Sequence, residues 1–456
     1  MDEHKKRNAL FMATDLRENG KYSEAEELLT QYLKIYPDDA DALALIGHIY
    51  ILQNKLSDAE QVLIKAHLIC SNISAIYINQ ARLNLRKSNI LKSIEFARIG
   101  LNLSITEPES MLVLAACLSA NNNFDESFNL VEQAISIKPK YADAYACRAM
   151  IHFKKNSNIK EAINDAEMAL SIKPHLDQLW AFLGSLRHQD NQLLKAIIAF
   201  ENAYNIDSNN INYIISLANY YKQNKQFDES IEILSKATAI QHDNYNLLLN
   251  LGIILQDSKK FNDAEMTYNK ALKINPNSSE IYNNLGVIAV NSQDWNNAYL
   301  FFNKSLNINP FSVQTINNLA GVLIIKGQYN EAIQRYESAI TINPDYVQAY
   351  VNLGIALQDL HKLTEAENIF RKAIAINFEY AEAHYNLGNI LIELNQIDSA
   401  LESYYCALSI KLDYDDATAA IGRILLKQGK HKEGIMMLQN SIGFINFNTK
   451  HGLLIK

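Results

Sequence analysis

Five asparagines stand 34 residues apart in this sequence of 456 residues, and their chemistry is the easiest to interpret. They are Asn250, Asn284, Asn318, Asn352 and Asn386, each two residues before a Gly or Ala. An asparagine amide has N–H donors and a carbonyl acceptor, so it can hydrogen-bond both the N–H and the C=O of an extended peptide without reading its side chains. This asparagine ladder therefore predicts an elongated polypeptide as ligand.

Two further sets of polar residues recur beside the ladder. Four residues before a ladder position stand Glu280, Gln314, Gln348 and Glu382. Seven residues after a ladder position stand Asp257, Asn291, Asp359 and Glu393. Spacings of four and seven residues put side chains on one face of an α-helix, so both sets should lie on the ladder face. Because the two sets contain five acids and no Lys or Arg, a basic or neutral segment is favoured as the ligand.

No pattern typical of an active site or a metal site is found in the sequence. The eleven histidines are scattered, and there is no H-E-x-x-H, no C-x-x-C, no P-loop and no G-x-S-x-G. The sequence therefore predicts no enzyme activity, no metal and no cofactor. We interpret His384 as a packed core residue and the four cysteines, Cys70, Cys117, Cys147 and Cys406, as buried thiols.

Composition excludes several other classes of function. Hydrophobic residues make up 48% and charged residues 20% of the chain, which is typical of a folded protein. The formal net charge of −8 disfavours nucleic acid and anionic membranes as partners, because both need a Lys/Arg-rich face. No apolar run approaches the ~18 residues of a membrane span. These features together predict a cytoplasmic protein.

The elements that must position the ladder can be found from small residues that recur along the whole chain. One set is Ala25, Ala59, Ser93, Ser127, Ala162, Ala196, Ser230, Ala264, Ala298, Ala332, Ala366, Ala400 and Gly434, spaced by 34 with a single step of 35. A Gly or Ala precedes each of them by twelve residues, or by thirteen at the longer step. Two antiparallel helices approach closely only where side chains are short, so the repeating unit is predicted to be a helical hairpin.

Proline marks the end of many units. Six of the seven prolines share one register, in which proline stops the second helix before the next unit begins: Pro37, Pro139, Pro174, Pro276, Pro310 and Pro344. This 34-residue period with Leu-Gly, Ala, an aromatic residue and Pro at fixed offsets resembles the tetratricopeptide repeat family. The resemblance implies an all-α fold, a right-handed α-solenoid of about thirteen helical hairpins.

The resemblance also predicts the domain organisation. Residues 1–5 would be an N-terminal extension, residues 6–448 the repeat array and residues 449–456 a C-terminal tail. The residues from Ile442 to Ile455 have the pattern of a strand, a turn and a strand. That segment has two interpretations, a small β-hairpin cap or the start of a further module.

The ladder makes the resemblance more specific. Tetratricopeptide arrays of the O-linked N-acetylglucosamine transferase type carry such asparagines and hold peptide substrates with them, and the five ladder positions match that motif. Our leading hypothesis is a non-enzymatic scaffold that binds an extended polypeptide. The alternative is the substrate-recruiting part of such a glycosyltransferase, either truncated or acting in trans. A third hypothesis is a structural factor that self-associates through the array.

Overall fold

The computed structural model describes residues 2–155, 158–442, 445–448 and 452–455 of the chain. In these residues 26 helices follow one another and two short strands follow the last helix. The chain divides into two compact units, Met1–Ile233 and Leu234–Lys456. The all-α solenoid predicted from the sequence is confirmed.

Unit 1 contains the first thirteen helices and the start of the fourteenth, and most have 13 or 14 residues. Their bounds are α1 Asp2–Glu18, α2 Tyr22–Ile35, α3 Ala40–Leu52, α4 Leu56–Ile69, α5 Ser74–Arg86, α6 Ile90–Leu103, α7 Pro108–Ala120, α8 Phe124–Ile137, α9 Ala142–Lys154, α10 Ile159–Ile172, α11 Asp177–Gln189, α12 Leu193–Ile206, α13 Ile211–Gln223 and α14 Phe227–Ile240. Because α1 begins at Asp2, it includes residues 2–5 of the predicted N-terminal extension.

Unit 2 contains the rest of α14 and twelve further helices. Their bounds are α15 Tyr245–Asp257, α16 Phe261–Ile274, α17 Ser279–Asn291, α18 Trp295–Ile308, α19 Val313–Ile325, α20 Tyr329–Ile342, α21 Val347–Asp359, α22 Leu363–Ile376, α23 Ala381–Glu393, α24 Ile397–Ile410, α25 Asp415–Lys427 and α26 His431–Ile442. We number the hairpins of this unit by their helices, from hairpin 8 (α15 and α16) to hairpin 13 (α25 and α26).

The predicted small residues lie where the two helices of a hairpin cross. Gly286 of α17 faces the ring of Phe302 of α18, and a Cβ added at Gly286 would lie 2.4 Å from Phe302 Cε1. Gly252 and Gly354 have the same relation to Tyr268 and Phe370. A missing Cβ on the first helix thus makes room for an aromatic ring on the second, and this packing fixes the hairpin register.

The turn inside each hairpin that the structure describes in full, all but the one between α9 and α10, contains one residue in the left-handed region. Its φ is +74° at Gly327, +62° at Lys259, +58° at Gln293 and +58° at His361. The next amide closes the turn, as Gln328 N does on Leu323 O at 2.9 Å. Left-handed backbone favours glycine, yet most of these positions hold other residues, so the turn is imposed by the packing of the two helices.

Hairpins stack on their neighbours within each unit. In unit 2 the second helix of one hairpin packs on the first helix of the next, and first helices also contact the first helices of adjacent hairpins. These contacts are more extensive than any between second helices, so the stack curves towards its first helices. One continuous cluster of buried side chains runs through unit 2 from Ala289 to Leu425, whereas unit 1 contains several smaller clusters.

The strands β1 (Ile445–Asn448) and β2 (Gly452–Ile455) pair antiparallel, with Ile445 opposite Ile455. The predicted turn between them includes residues 449–451, which lie outside the described residues. Whether this pair caps the array or begins another module stays a prediction, as does the division into residues 1–5, 6–448 and 449–456.

Candidate functional site

The ladder residues lie near the middle of the first helices of hairpins 8 to 12. Asn250, Asn284, Asn318, Asn352 and Asn386 belong to α15, α17, α19, α21 and α23 in that order, and all five are half-buried. The two flanking sets lie on the same helices, and all of their members are exposed: Glu280, Gln314, Gln348, Glu382, Asp257, Asn291, Asp359 and Glu393. We call this surface, on the inner side of the stack, the ladder wall.

The charge of the ladder wall has one sign. The five helices that carry the ladder contain five acids and no Lys or Arg. The acids are Asp257, Glu280, Asp359, Glu382 and Glu393. Glu393 of α23 accepts a hydrogen bond at 2.5 Å from Gln358 Nε2 of α21, so the carboxylates also connect adjacent hairpins. A surface with this charge attracts cationic groups and repels anionic ones.

The first two ladder residues donate their amides within their own hairpin or to the preceding one. Asn250 Nδ2 donates to Asn246 O on its own helix at 2.8 Å. Asn284 Nδ2 donates to the Tyr268 hydroxyl of hairpin 8 at 3.3 Å, and that hydroxyl donates to Gln256 Oε1 at 3.1 Å. Burial raises the pKa of Tyr268, so its hydroxyl keeps the proton that it donates.

The next two ladder residues bond to buried asparagines of the preceding hairpin. Asn318 Nδ2 donates to Asn283 Oδ1 at 3.1 Å, and Asn352 Nδ2 donates to Asn317 Oδ1 at 2.9 Å. Asn283 is 5% exposed and Asn317 is 6% exposed. Asn283 Oδ1 also accepts from the buried Thr315 hydroxyl at 3.2 Å, so it accepts two hydrogen bonds from the following hairpin.

From the sequence, the ladder amides were assigned to a peptide ligand, and these two partners within the chain were missed. The signal that would have found them is the doubled asparagine, Asn283-Asn284 and Asn317-Asn318, in two successive hairpins. Hairpins 8, 11 and 12 have Leu249, Val351 and Tyr385 at the first position of that pair. A polar residue in an otherwise apolar register indicates a buried hydrogen bond.

Unit 1 has a different inner wall. The only ladder-type asparagine among the first three hairpins of that unit, Asn79, is buried, donates to Ala44 O at 2.8 Å and accepts from Arg82 Nη1 at 2.8 Å. A cavity of about 230 Å³ opens beside it, and Arg17 Nη1 lies 3.1 Å from His48 Nδ1 at its edge. This asparagine therefore holds two hairpins together and positions an arginine.

Two groups in that cavity have shifted pKa values. Burial lowers the pKa of His48 well below its usual range, and the charges of Arg82 and Arg17 lower it further. Burial raises the pKa of Glu109, but the Arg82 guanidinium, 2.5 Å away, and the charge of Arg17 outweigh this effect and leave the pKa lowered. His48 is therefore held neutral between two cations.

The structure also shows how deeply His384 and the four cysteines are buried. His384 is 4% exposed with Nε2 2.9 Å from Phe378 O, which confirms the core interpretation. The prediction that every cysteine is buried is wrong, because Cys70, Cys147 and Cys406 are half-buried and Cys117 alone is fully buried. These three lie on helix faces or ends that neighbouring hairpins cover only in part.

Among the described residues, no group of three metal-binding side chains and no helix long and apolar enough to span a membrane are found.

Comparison with family models gives one consistent result. Models of the tetratricopeptide repeat match residues 16–67, 211–244, 245–278, 267–299, 347–377 and 381–414, and a model described as a TPR repeat matches residues 321–361. The matches together extend over about half of the sequence. They include every ladder position except Asn318. No curated protein sequence matches the chain.

Several solved structures are similar to the chain. The crystal structure of yeast Tom70 aligns with a TM-score of 0.50 at 14% identity, covering 94% of this chain and 97% of that one. The APC/C hetero-tetramer Cut9-Hcn1 aligns with a TM-score of 0.46 at 14% identity, covering 91% and 89%. MamA aligns with a TM-score of 0.32 at 26% identity, covering 35% of this chain and 93% of that one. The Tom70 alignment supports the fold alone.

Proposed function

Because the chain belongs to the tetratricopeptide repeat family, we propose that it is a non-enzymatic interaction scaffold whose ladder wall binds an extended polypeptide, basic in preference to neutral. We further propose that it acts in the cytoplasm. Neither a reaction nor a cofactor is part of this proposal. No observation favours the glycosyltransferase-associated role over it.

One observation carries the proposal. Five consecutive first helices, α15, α17, α19, α21 and α23, each present a half-buried asparagine amide, and the same five helices have five acids and no base. Amides at a regular spacing suit a regular backbone, which offers an N–H and a C=O at every residue. Carboxylates beside them suit the Lys or Arg side chains of the same ligand.

Spacing sets the length of the ligand. The first helices of adjacent hairpins contact each other directly, so consecutive ladder residues lie about 10 Å apart, the diameter of a helix with its side chains. An extended chain advances about 3.4 Å per residue, so each hairpin corresponds to about three ligand residues. Five ladder positions thus suit a ligand of about 12 to 15 residues.

Hydrogen bonds from the ladder are not sufficient for tight binding. At about 1 kcal/mol for each amide, five amides contribute about 5 kcal/mol, and micromolar affinity requires about 8 kcal/mol. Exposed apolar side chains in the ladder register offer further contacts, since Ile325 is 53% and Ile355 is 38% exposed. A ligand with both basic and aliphatic side chains fits this wall best.

The first test measures the affinity of the full chain for a defined peptide, acetyl-(Lys-Val-Ser)5-amide, by isothermal titration calorimetry. We expect binding that weakens when Asn250, Asn284, Asn318, Asn352 and Asn386 are all replaced by Ala. The expected loss of affinity is on the order of 100-fold or more, because the variant lacks most of the about 5 kcal/mol that the five amides contribute to binding. The acidic peptide acetyl-(Glu-Val-Ser)5-amide should bind much more weakly than the basic one.

A matched control replaces five asparagines of the second helices of unit 2 by Ala. They are Asn262, Asn269, Asn303, Asn307 and Asn330. This variant should bind the basic peptide as the unchanged chain does, and circular dichroism should find all three proteins equally helical. Equal affinity of the ladder variant and the control variant would contradict the proposal.

A further inference from the structure

We propose that the middle of the ladder, Asn284, Asn318 and Asn352, is the preorganised part of the binding site, and that the buried Asn283 and Asn317 are positioning residues that hold it. The inference rests on the proposed function, since it assigns unequal roles to ladder residues of that same site.

The middle positions are joined across hairpins by side-chain hydrogen bonds. Asn283 Nδ2 donates to Asn284 Oδ1 at 3.4 Å, while Asn283 Oδ1 accepts from Asn318 Nδ2 at 3.1 Å. A single buried side chain thus contacts two ladder residues, one in its own hairpin and one in the next. Asn317 Oδ1 accepts from Asn352 Nδ2 of the next hairpin at 2.9 Å.

Buried donors reinforce Asn283. The Thr315 hydroxyl, 1% exposed, donates to Asn283 Oδ1 and lies 2.8 Å from the Ser312 hydroxyl and 3.3 Å from that of Ser305. The Ser305 hydroxyl donates to Ser279 O at 2.8 Å, which ties the cluster to the start of α17. A fully hydrogen-bonded polar cluster of this kind has few alternative arrangements, so the position of Asn283 is fixed.

These bonds leave part of each amide for a ligand. Asn318 and Asn352 use one N–H to reach the preceding hairpin, and their Oδ1 atoms and second N–H groups take no part in that bond. Because the amide is planar, fixing one N–H also fixes the direction of the oxygen. The side chains at these positions are already ordered before a ligand binds. Binding therefore costs less conformational entropy.

The outer positions have no such support. The amide of Asn250 turns back onto its own helix at Asn246 O, and a ligand must break this bond before that N–H can be used. For Asn386 the residue in the register of Asn283 and Asn317 is Val351, which is 3% exposed and offers no side-chain acceptor. Affinity should therefore be concentrated at the centre of the ladder, as is usual for interfaces.

The test uses substitutions that the chain itself suggests. Val351→Asn gives Asn386 the partner that Asn352 has, and Asn317→Val gives Asn352 the environment that Asn386 has. With acetyl-(Lys-Val-Ser)5-amide as the probe, Kd should fall about threefold to tenfold in Val351→Asn and rise by a similar factor in Asn317→Val, as expected for one ordered side chain.

The outcomes separate the two proposals. Failure of the unchanged chain to bind the probe would overturn the proposed function. Binding by the unchanged chain with Kd values for Val351→Asn and Asn317→Val within twofold of it would overturn the positioning role alone. The tighter binding of Val351→Asn cannot result from loss of structure, so it decides the matter even if thermal melting shows Asn317→Val to be unfolded.

Discussion

His48 shows how single side chains in unit 1 connect neighbouring hairpins. Its imidazole lies in α3, next to Arg17 of α1 and within the field of Arg82 of α5, and Glu109 of α7 balances part of that charge. Asp41, two turns earlier on the same helix, is paired with Lys6 at 2.9 Å. The imidazole is thus neutral in the folded chain, and its Nδ1 accepts from the Arg17 guanidinium rather than pairing with a carboxylate.

The stability of the chain should fall on mild acidification because of His48. Its folded pKa lies well below the ordinary 6.5, so below pH 6.5 the unfolded chain takes up a proton there that the folded chain does not. The free energy of unfolding is then unaffected by His48 above about pH 6.5 and decreases below it, by at most about 1.4 kcal/mol per pH unit. Urea unfolding between pH 7 and pH 5 should show a smaller decrease for His48→Gln than for the unchanged chain. Parallel pH profiles for the two proteins would contradict this role.

The residue types of the ladder were predicted from the 34-residue spacing, but that spacing does not predict the partners of their amides, for which the doubled asparagines are the only signal in the sequence. The 34-residue spacing alone places Asn318 and Asn352 on one face of their helices. Whether their N–H groups face solvent or a neighbour depends on how closely the preceding hairpin approaches. That approach is set by packing between hairpins, which the spacing within one hairpin does not determine.

At the scale of the helix pair, space for the aromatic ring of the second helix decides the packing. Phe302 is fully buried and fills the gap that Gly286 leaves. Gly321 of α19 is also within a first helix, but the nearest atom to a Cβ added there is the Tyr336 hydroxyl oxygen at 3.8 Å. The two glycines therefore offer a direct comparison of a filled and an open position.

Substituting each glycine by alanine should change stability in opposite directions. Gly286→Ala forces Phe302 aside and should lower the free energy of unfolding by about 1 to 3 kcal/mol. Gly321→Ala meets no such obstacle and should raise it by about 0.5 to 1 kcal/mol, because alanine favours the helix. Thermal melting followed by circular dichroism measures both. A stabilising Gly286→Ala would show that the hairpin register differs from the one described.

Helices were the most predictable feature of this chain, and turns were the least. Apolar periodicity and small residues recur in every hairpin, so the element type and the spacing follow from the sequence. The left-handed turn position holds Gly or Asn in seven of the described hairpins, but Ser88, Lys225, Lys259, Gln293 and His361 in five others. Its conformation follows from the closing of the two helices on each other, which a local sequence pattern does not encode.

For the molecule as a whole, the order of contacts follows the order of the chain. Within unit 2, adjacent hairpins pack on one another, and from Ala289 to Leu425 the buried core continues from one hairpin to the next. Such a stack has no central core that must form at once, so its stability is approximately a sum of hairpin and neighbour terms. Hairpins 9, 10 and 11 are joined to one another by side-chain hydrogen bonds, so they should be the last to unfold.

This arrangement has a mechanical consequence. If the two ends of the chain are pulled apart, hairpins can detach one after another, and each released unit of 34 residues lengthens the chain by up to about 11 nm. Force spectroscopy should therefore record a series of small extensions at low force. A protein with a single core would instead give one large extension. A ligand lying along the ladder wall would span several hairpins, so its binding should raise the force at which that part of the chain yields. The molecule would then act as a spring whose stiffness depends on what it holds.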